Sequence, residues 1–284
     1  MCRMALYLGP EITLGSLLTE PDHSIVKQSV EAREREEPLN GDGFGVAWYD
    51  PELEQPALFK DVRPAWSNRN LIELGRVVRT SALMAHVRAA TPPLPVHELN
   101  CHPFRWGRLS FMHNGAIGGF TQLKRALQAK LSDEAYRWIQ GSTDSEHLFA
   151  LAIDEYQRHE PGTLAALEAS LLAAIRQAEE LREAAGIESP SWFNLVICDG
   201  ERAVATRAIF GNREGVKPES LYYHVGRRYV CEEGVCRMVP VEDAGAVLVA
   251  SEPLSADPGW QEVPAGHLIA IAADRSLEVR PLAL

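Results

Sequence analysis

Apolar residues fall in short runs over the first 115 positions: the stretch from Met4 to Leu8, then FGVAWY, ALFKDV, ALMAHV and RLSFMH. The runs are rich in β-branched and aromatic residues and are separated by Gly, Pro and Asn, which predicts a half made mainly of strands joined by turns. From about Phe120 to Gly186 the period changes. Leu164, Leu167, Leu171, Ile175, Ala178 and Leu181 recur at steps of three and four on one face, and two or three helices are expected here. The last hundred residues return to strands, with FNLVIC, RAVATRAIF, LYYHV, AVLVAS and HLIAIAA broken by turns at CDGE and AADRS. Strands, then helices, then strands favour antiparallel sheets with helices packed outside over a doubly wound parallel sheet. No flexible linker divides the chain, so one domain is expected. The charged stretch EAREREEPLNGDG reads as a solvated connection leading into a strand.

Composition narrows the partners. A formal net charge of −11 and a pI near 5.3 argue against a nucleic-acid or anionic-membrane surface, which would reward clustered Lys and Arg. The apolar stretch near the N-terminus is too short for a membrane span or a signal h-region, so a cytoplasmic address is the expectation. Five cysteines (Cys2, Cys101, Cys198, Cys231 and Cys236) form an odd, scattered set in a chain too large to need disulfide staples, which suits a reducing compartment. The pair in CEEGVC has no matching second pair for zinc, so Cys231 and Cys236, with Cys198, are read as structural.

Three blocks carry candidate chemistry. In RLSFMHNGAIGGF the strand is expected to stop at Asn114-Gly115, a dipeptide common in tight turns, which gives a plain hairpin as one reading. The other is an oxyanion hole, with the Asn114 amide and the Gly115 N–H aimed at one developing negative charge. In LMAHVRAATPP, Arg88 ends a buried strand. It is either a surface residue or, facing a cleft, a two-pronged grip for a carboxylate, with Thr91 adding a hydroxyl contact. His86 is read as a core histidine, not a base. In QGSTDSEHLFALAI, Thr143 and Glu146 have capping-box spacing and Asp144 falls in the first helical turn, where the dipole favours an anion. Its carboxylate also suits a substrate ammonium. A zinc site from Cys101, His102 and His113 lacks a convincing ligand set. With Cys2 as nucleophile the blocks supply a thiol, an oxyanion hole, a carboxylate grip and an ammonium grip.

Cys2 directly after the initiator, NGDGFGVAWY, AHVRAAT, NCHPF, FMHNGAI and STDSEH resemble, in order and rough spacing, the class II glutamine amidotransferases, whose nucleophile is an N-terminal cysteine. HSIVKQS, PAWSNRNL, FNLVICDGERAVATR and ASEPL extend the likeness over nearly the whole chain. It leans to the stand-alone branch that includes a yeast glutathione-degradation subunit and an ergothioneine-pathway γ-glutamyl hydrolase. The resemblance implies a four-layer αββα sandwich of two antiparallel sheets (α+β, Ntn-hydrolase fold) spanning residues 2–284, with Met1 removed. It assigns catalysis to Cys2, Asn114 and Gly115, carboxylate binding to Arg88 and amine binding to Asp144. It implies no cofactor or metal, and either a peptidase-like or synthase partner subunit or plain hydrolysis. Synthase-type members carry a Trp and a His in the arginine loop, where this chain has Ala89 and Pro92.

That implied chemistry is cleavage of the γ-glutamyl amide bond of glutamine or of a compound such as glutathione through a Cys2 thioester. The alternatives are a glutaminase subunit passing ammonia to a separate synthase, and a non-catalytic γ-glutamyl-binding scaffold. An α-amine of reference pKa near 8 beside a thiol near 8.5 lets one residue supply both base and nucleophile.

Overall fold

The computed structural model describes residues 2–34, 38–90, 95–211, 216–232, 234–240 and 245–284. In chain order its strands are β1 (Arg3–Thr13), β2 (Phe44–Trp48), β3 (Ala57–Asp61), β4 (Arg79–Val87), β5 (Phe104–Trp106), β6 (Leu109–Ala116), β7 (Ser191–Cys198), β8 (Ala203–Arg207), β9 (Ile209–Phe210), β10 (Tyr222–Gly226), β11 (Arg228–Glu232), β12 (Val235–Val239), β13 (Ala246–Ala250), β14 (Gln261–Glu262), β15 (His267–Ile271) and β16 (Leu277–Pro281). The helices are α1 (Gly15–Leu18), α2 (Ile25–Gln28), α3 (Arg69–Val77), α4 (Phe120–Lys130), α5 (Asp133–Trp138), α6 (Asp144–Tyr156) and α7 (Leu164–Ala184).

Two antiparallel sheets result. One runs β14-β10-β13-β1-β4-β2-β3; the other runs β16-β15-β8-β7-β6-β5, with β9 beside β7. Alternation along each strand sends one row of side chains between the sheets and the other outward. Met4, Leu6, Leu8, Met84, Met112, Val196 and Ile269 fill the layer between the sheets. Phe111, Phe193 and Leu195 face Leu148, Leu167, Leu171 and Ile175 from α6 and α7 on one outer side. On the other, Ala5, Tyr7 and Leu83 face Leu17, Ile25 and Leu71 from α1, α2 and α3, with Tyr229 and Cys236 from the β11–β12 hairpin. The order is helix, sheet, sheet, helix, as expected.

Several expectations change in detail. The region expected to hold two or three helices has four, because Ser132 caps a six-residue α5 between the longer ones. The first half also carries α1 and α2, of four residues each and too short to leave a 3.6-residue signature, and the nine-residue α3. All six positions of the predicted apolar stripe lie on α7 and pack on the core. The stretch ending in NGDG is not wholly solvated, since Asn40 is completely buried and its neighbours brace the arginine loop. Cys231 and Cys236 are not free thiols. They lie directly opposite each other on β11 and β12, where antiparallel pairing brings their sulfurs together in a disulfide. Among the described residues no helix is long and apolar enough to cross a membrane.

Candidate active site

Cys2 continues the row of Met4, Leu6 and Leu8 to the open end of the layer between the sheets, half-buried, with Sγ 3.7 Å from the Ala89 carbonyl. Register fixes its neighbour: Arg3 pairs with Val87, which sets Cys2 beside Arg88 at the end of β4. Arg88 is 4% exposed. Its N–H donates to Gly43 O (2.8 Å), its carbonyl accepts from Asp42 N–H (3.0 Å), and Asp42 Oδ2 accepts from Ala90 N–H (2.8 Å). The NGDGFG motif is therefore a brace for the arginine loop. A Cβ on Gly43 (φ +109°) would fall 2.7 Å from Cys101 Sγ, and one on Gly45 would fall 2.2 Å from the His102 carbonyl, so NGDGFG and NCHPF need one another at close range. Among the described residues the Arg88 guanidinium has no carboxylate partner and makes a 3.5 Å contact with Pro95 O. Thr91 lies outside the described residues.

The second sheet supplies Asn114 and Gly115. The expected tight turn is absent: β6 runs through the dipeptide, with Asn114 opposite Asn194 and Gly115 opposite Phe193, because β7 continues the ladder to Ala116. Asn114 is fully buried and shares the inward row of Met112. Among the described residues neither Oδ1 nor Nδ2 has a hydrogen-bond partner. A buried polar group left in that state costs about 1–3 kcal/mol, so this amide is one that an incoming polar group would satisfy. A Cβ on Gly115 would lie 2.0 Å from Trp192 O and 2.4 Å from His113 Nε2, which restricts the position to glycine.

Bonds between blocks bring them to one end of the sandwich. His86, paired with Met4 in register, donates from Nε2 to the His113 carbonyl in the opposite sheet (3.3 Å). Burial pushes the His86 pKa down to about 3, which leaves it a neutral cross-sheet tie and removes it as a base. His113 donates from Nε2 to Trp192 O (2.9 Å) and accepts at Nδ1 from Ser145 Oγ (2.9 Å), binding the FMHNG strand to the STDSEH helix. With both nitrogens so engaged, His113 is not a metal ligand.

Asp144 opens α6 behind the N-cap Thr143, whose Oγ1 accepts from Glu146 N–H (3.2 Å). The capping box is one-sided, since Glu146 Oε1 turns to the N–H groups of Gln140 (3.2 Å) and Gly141 (2.8 Å). Asp144 accepts from Ile117 N–H at Oδ2 and from Ser145 N–H at Oδ1, both at 2.8 Å. These bonds hold its carboxylate next to the chain leaving Gly115. A carboxylate has about four acceptor sites, so room remains for a substrate ammonium. Cys2 and Arg88 thus lie on the inward row of one sheet and Asn114 on that of the other, with Asp144 tied to the chain that follows Asn114. The bracing roles of Asp42, His113 and Ser145 escaped the sequence reading; the glycines around Asp42 were the one available signal.

Residues 18–280 match the family of class II glutamine amidotransferases. The chain belongs to that family. It is 38% identical, over 95% of its own length and 82% of the other's, to the "Probable glutamine amidotransferase DUG3" of Saccharomyces cerevisiae. It is 25% identical to the "Gamma-glutamyl-hercynylcysteine sulfoxide hydrolase" of Mycolicibacterium smegmatis, over 99% of this chain and all of that one. Among solved structures it is similar to a glutamine aminotransferase class-II domain protein from Silicibacter pomeroyi (TM-score 0.67, 29% identity, both chains fully covered). The glutamine phosphoribosylpyrophosphate amidotransferase of B. subtilis shares the fold (TM-score 0.59, 19% identity), with this chain covering half of it. The class II glutamine amidotransferase described here is thus an enzyme of the amidotransferase and γ-glutamyl hydrolase type. The matched span begins after Cys2.

Proposed function

We propose that this class II amidotransferase hydrolyses the γ-glutamyl amide bond of glutamine or of a γ-glutamyl compound such as glutathione through a thioester on Cys2. The observation that carries the reading is a half-buried thiol beside Arg88 on the inward row of one sheet, together with an Asn114 amide on the inward row of the other that is unpartnered among the described residues. A hydrolase of a γ-glutamyl compound among the full-length relatives supports the same bond as the target.

With Met1 removed, the Cys2 α-amine takes the thiol proton, directly or through a water, and Sγ attacks the γ-carbonyl carbon. Arg88 holds the glutamyl α-carboxylate with paired hydrogen bonds, and Asp144 holds the α-ammonium. The carbonyl oxygen becomes an oxyanion and accepts from Asn114 Nδ2–H and the Gly115 N–H. Collapse expels ammonia or an amine, which leaves with the proton from the α-amine. Water then attacks the thioester, freeing glutamate and the thiol. Cys2→Ala is expected to abolish glutamate release from both glutamine and glutathione while the protein stays folded; unchanged release would remove Cys2 as nucleophile. A panel of γ-glutamyl amides and peptides, with ammonia measured in parallel, identifies the leaving group.

A further inference from the structure

Alternation along β1 turns the residue after the nucleophile away from the reacting layer, into the opposite face where Ala5 and Tyr7 pack. That residue is an arginine, and it is completely buried. Arg3 Nη1 donates to the carbonyl of Cys2 (2.9 Å), while Nε forms an ion pair with Glu252 Oε1 (2.8 Å). Nη2 lies 3.6 Å from Glu219 Oε2. Glu252, itself 1% exposed, is held from the other side: Oε2 accepts from His23 Nε2 (2.7 Å) and Arg33 N–H (2.8 Å), and Oε1 from Glu34 N–H (3.2 Å). Gln28 Nε2 bonds both the His23 and the Glu252 carbonyls (3.0 and 3.3 Å). The adjacent Ser251 bonds Met4 twice, through its N–H to Met4 O (2.9 Å) and through Oγ from Met4 N–H (3.1 Å).

We propose that Arg3, Glu252 and His23 act as a positioning clamp behind the nucleophile, fixing the Cys2 main chain so that its thiol and α-amine stay aligned with Asn114 and Arg88. The clamp rests on the function proposed above. HSIVKQS and ASEPL, two stretches with no part in the reacting layer, converge on the rear of Cys2. A buried ion pair is a poor way to gain stability, since apolar residues of similar volume usually serve as well or better. An apolar side chain at position 3 would fill the space, but it could not hold the Cys2 carbonyl. Position, not stability, is what the charges supply. Arg3 faces away from substrate, so its effect on chemistry runs through Cys2 alone.

The test compares Glu252→Gln, Arg3→Lys and the double variant Arg3→Met/Glu252→Met with wild type. It uses kcat and KM for glutamate release, the rate of Cys2 alkylation by iodoacetamide followed by peptide mass, and Tm. Glu252→Gln is expected to lower kcat about tenfold or more with KM within about twofold, and to slow Cys2 alkylation, because alignment is lost and substrate grip is kept. Arg3→Lys, whose compact ammonium cannot reproduce the fixed guanidinium fork that meets Cys2 O and Glu252 from different nitrogens, should do the same in a folded protein. The apolar pair should restore Tm without restoring kcat. A wild-type kcat or alkylation rate in the apolar pair or in Arg3→Lys would overturn the clamp and leave a structural role only. If wild type releases no glutamate from any γ-glutamyl substrate, the proposed function fails. The alkylation comparison still decides the clamp.

Discussion

His86 in one sheet and His113 in the other are joined by a 3.3 Å hydrogen bond, and that bond lies at the end of the sandwich where Cys2, Arg88 and Asn114 meet. Burial, not the bond, keeps this imidazole neutral: it pushes the His86 pKa down to about 3, although the bond to the His113 carbonyl favours the protonated ring. His102, its ring tilted against that of His86 with centroids 4.4 Å apart, and His113 are also pushed below the ordinary histidine range by burial.

Acid should therefore loosen this end of the molecule. The unfolded histidines take up protons near pH 6.5, whereas folded His86 does not until about pH 3, so stability is full above pH 6.5 and falls as pH drops between the two values. For one histidine the loss from about pH 7.5 to about pH 5 is about 2 kcal/mol. Urea midpoints at about pH 7.5 and about pH 5 should differ clearly in wild type and by less in His86→Gln, which retains a donor for the His113 carbonyl. Equal acid sensitivity in the two proteins would discard the assignment.

Asn114→Ala separates activity from stability. Losing one oxyanion donor typically costs about 2.7–4 kcal/mol of barrier, a drop of about 10²–10³ in kcat. The amide has no partner to lose, so Tm should stay within a few degrees of wild type. A large fall in Tm with kcat retained would return Asn114 to the core.

Gly115→Ala should act on folding. The new methyl would sit 2.0 Å from the Trp192 carbonyl and 2.4 Å from His113 Nε2, and the first of these is backbone paired in the ladder. Overpacking in a tight core costs about 1–3 kcal/mol, and a clash with fixed main chain belongs at the upper end. The expected result is a lowered urea midpoint with loss of activity. An unchanged midpoint would mean the strands separate freely here.

The strands and the α7 stripe were legible because alternation and 3.6-residue periodicity are local. Cys2, Arg88, Asn114 and Asp144 could be put forward as a candidate set from the joint pattern of their blocks, to which the resemblance added roles. What stayed hidden depends on pairing between distant segments. Asn-Gly favours a turn locally, yet β7 lies alongside and keeps Asn114 and Gly115 in the ladder. Cys231 and Cys236 became a disulfide only because β11 and β12 set them opposite each other. Asp42 looked like part of a charged connection, and only its bond to Ala90 N–H reveals a brace.

Asp144 bears two readings, a helix-end anion and an ammonium grip, and Asp144→Asn distinguishes them. Asparagine keeps an oxygen that can accept from Ile117 N–H or Ser145 N–H, so one of the two 2.8 Å bonds survives while the charge goes. Loss of the favourable interaction with the helix dipole costs about 0.3–1 kcal/mol, a small shift in Tm. If the carboxylate also pairs with the substrate ammonium, KM for glutamine and for glutathione should rise about tenfold or more, and a γ-glutamyl analogue lacking the α-amine should show no such penalty. Arg88→Ala should mirror this with analogues lacking the α-carboxylate, because its guanidinium has no carboxylate partner among the described residues and is free to take one. A Tm loss with unaltered KM would leave Asp144 as a cap alone.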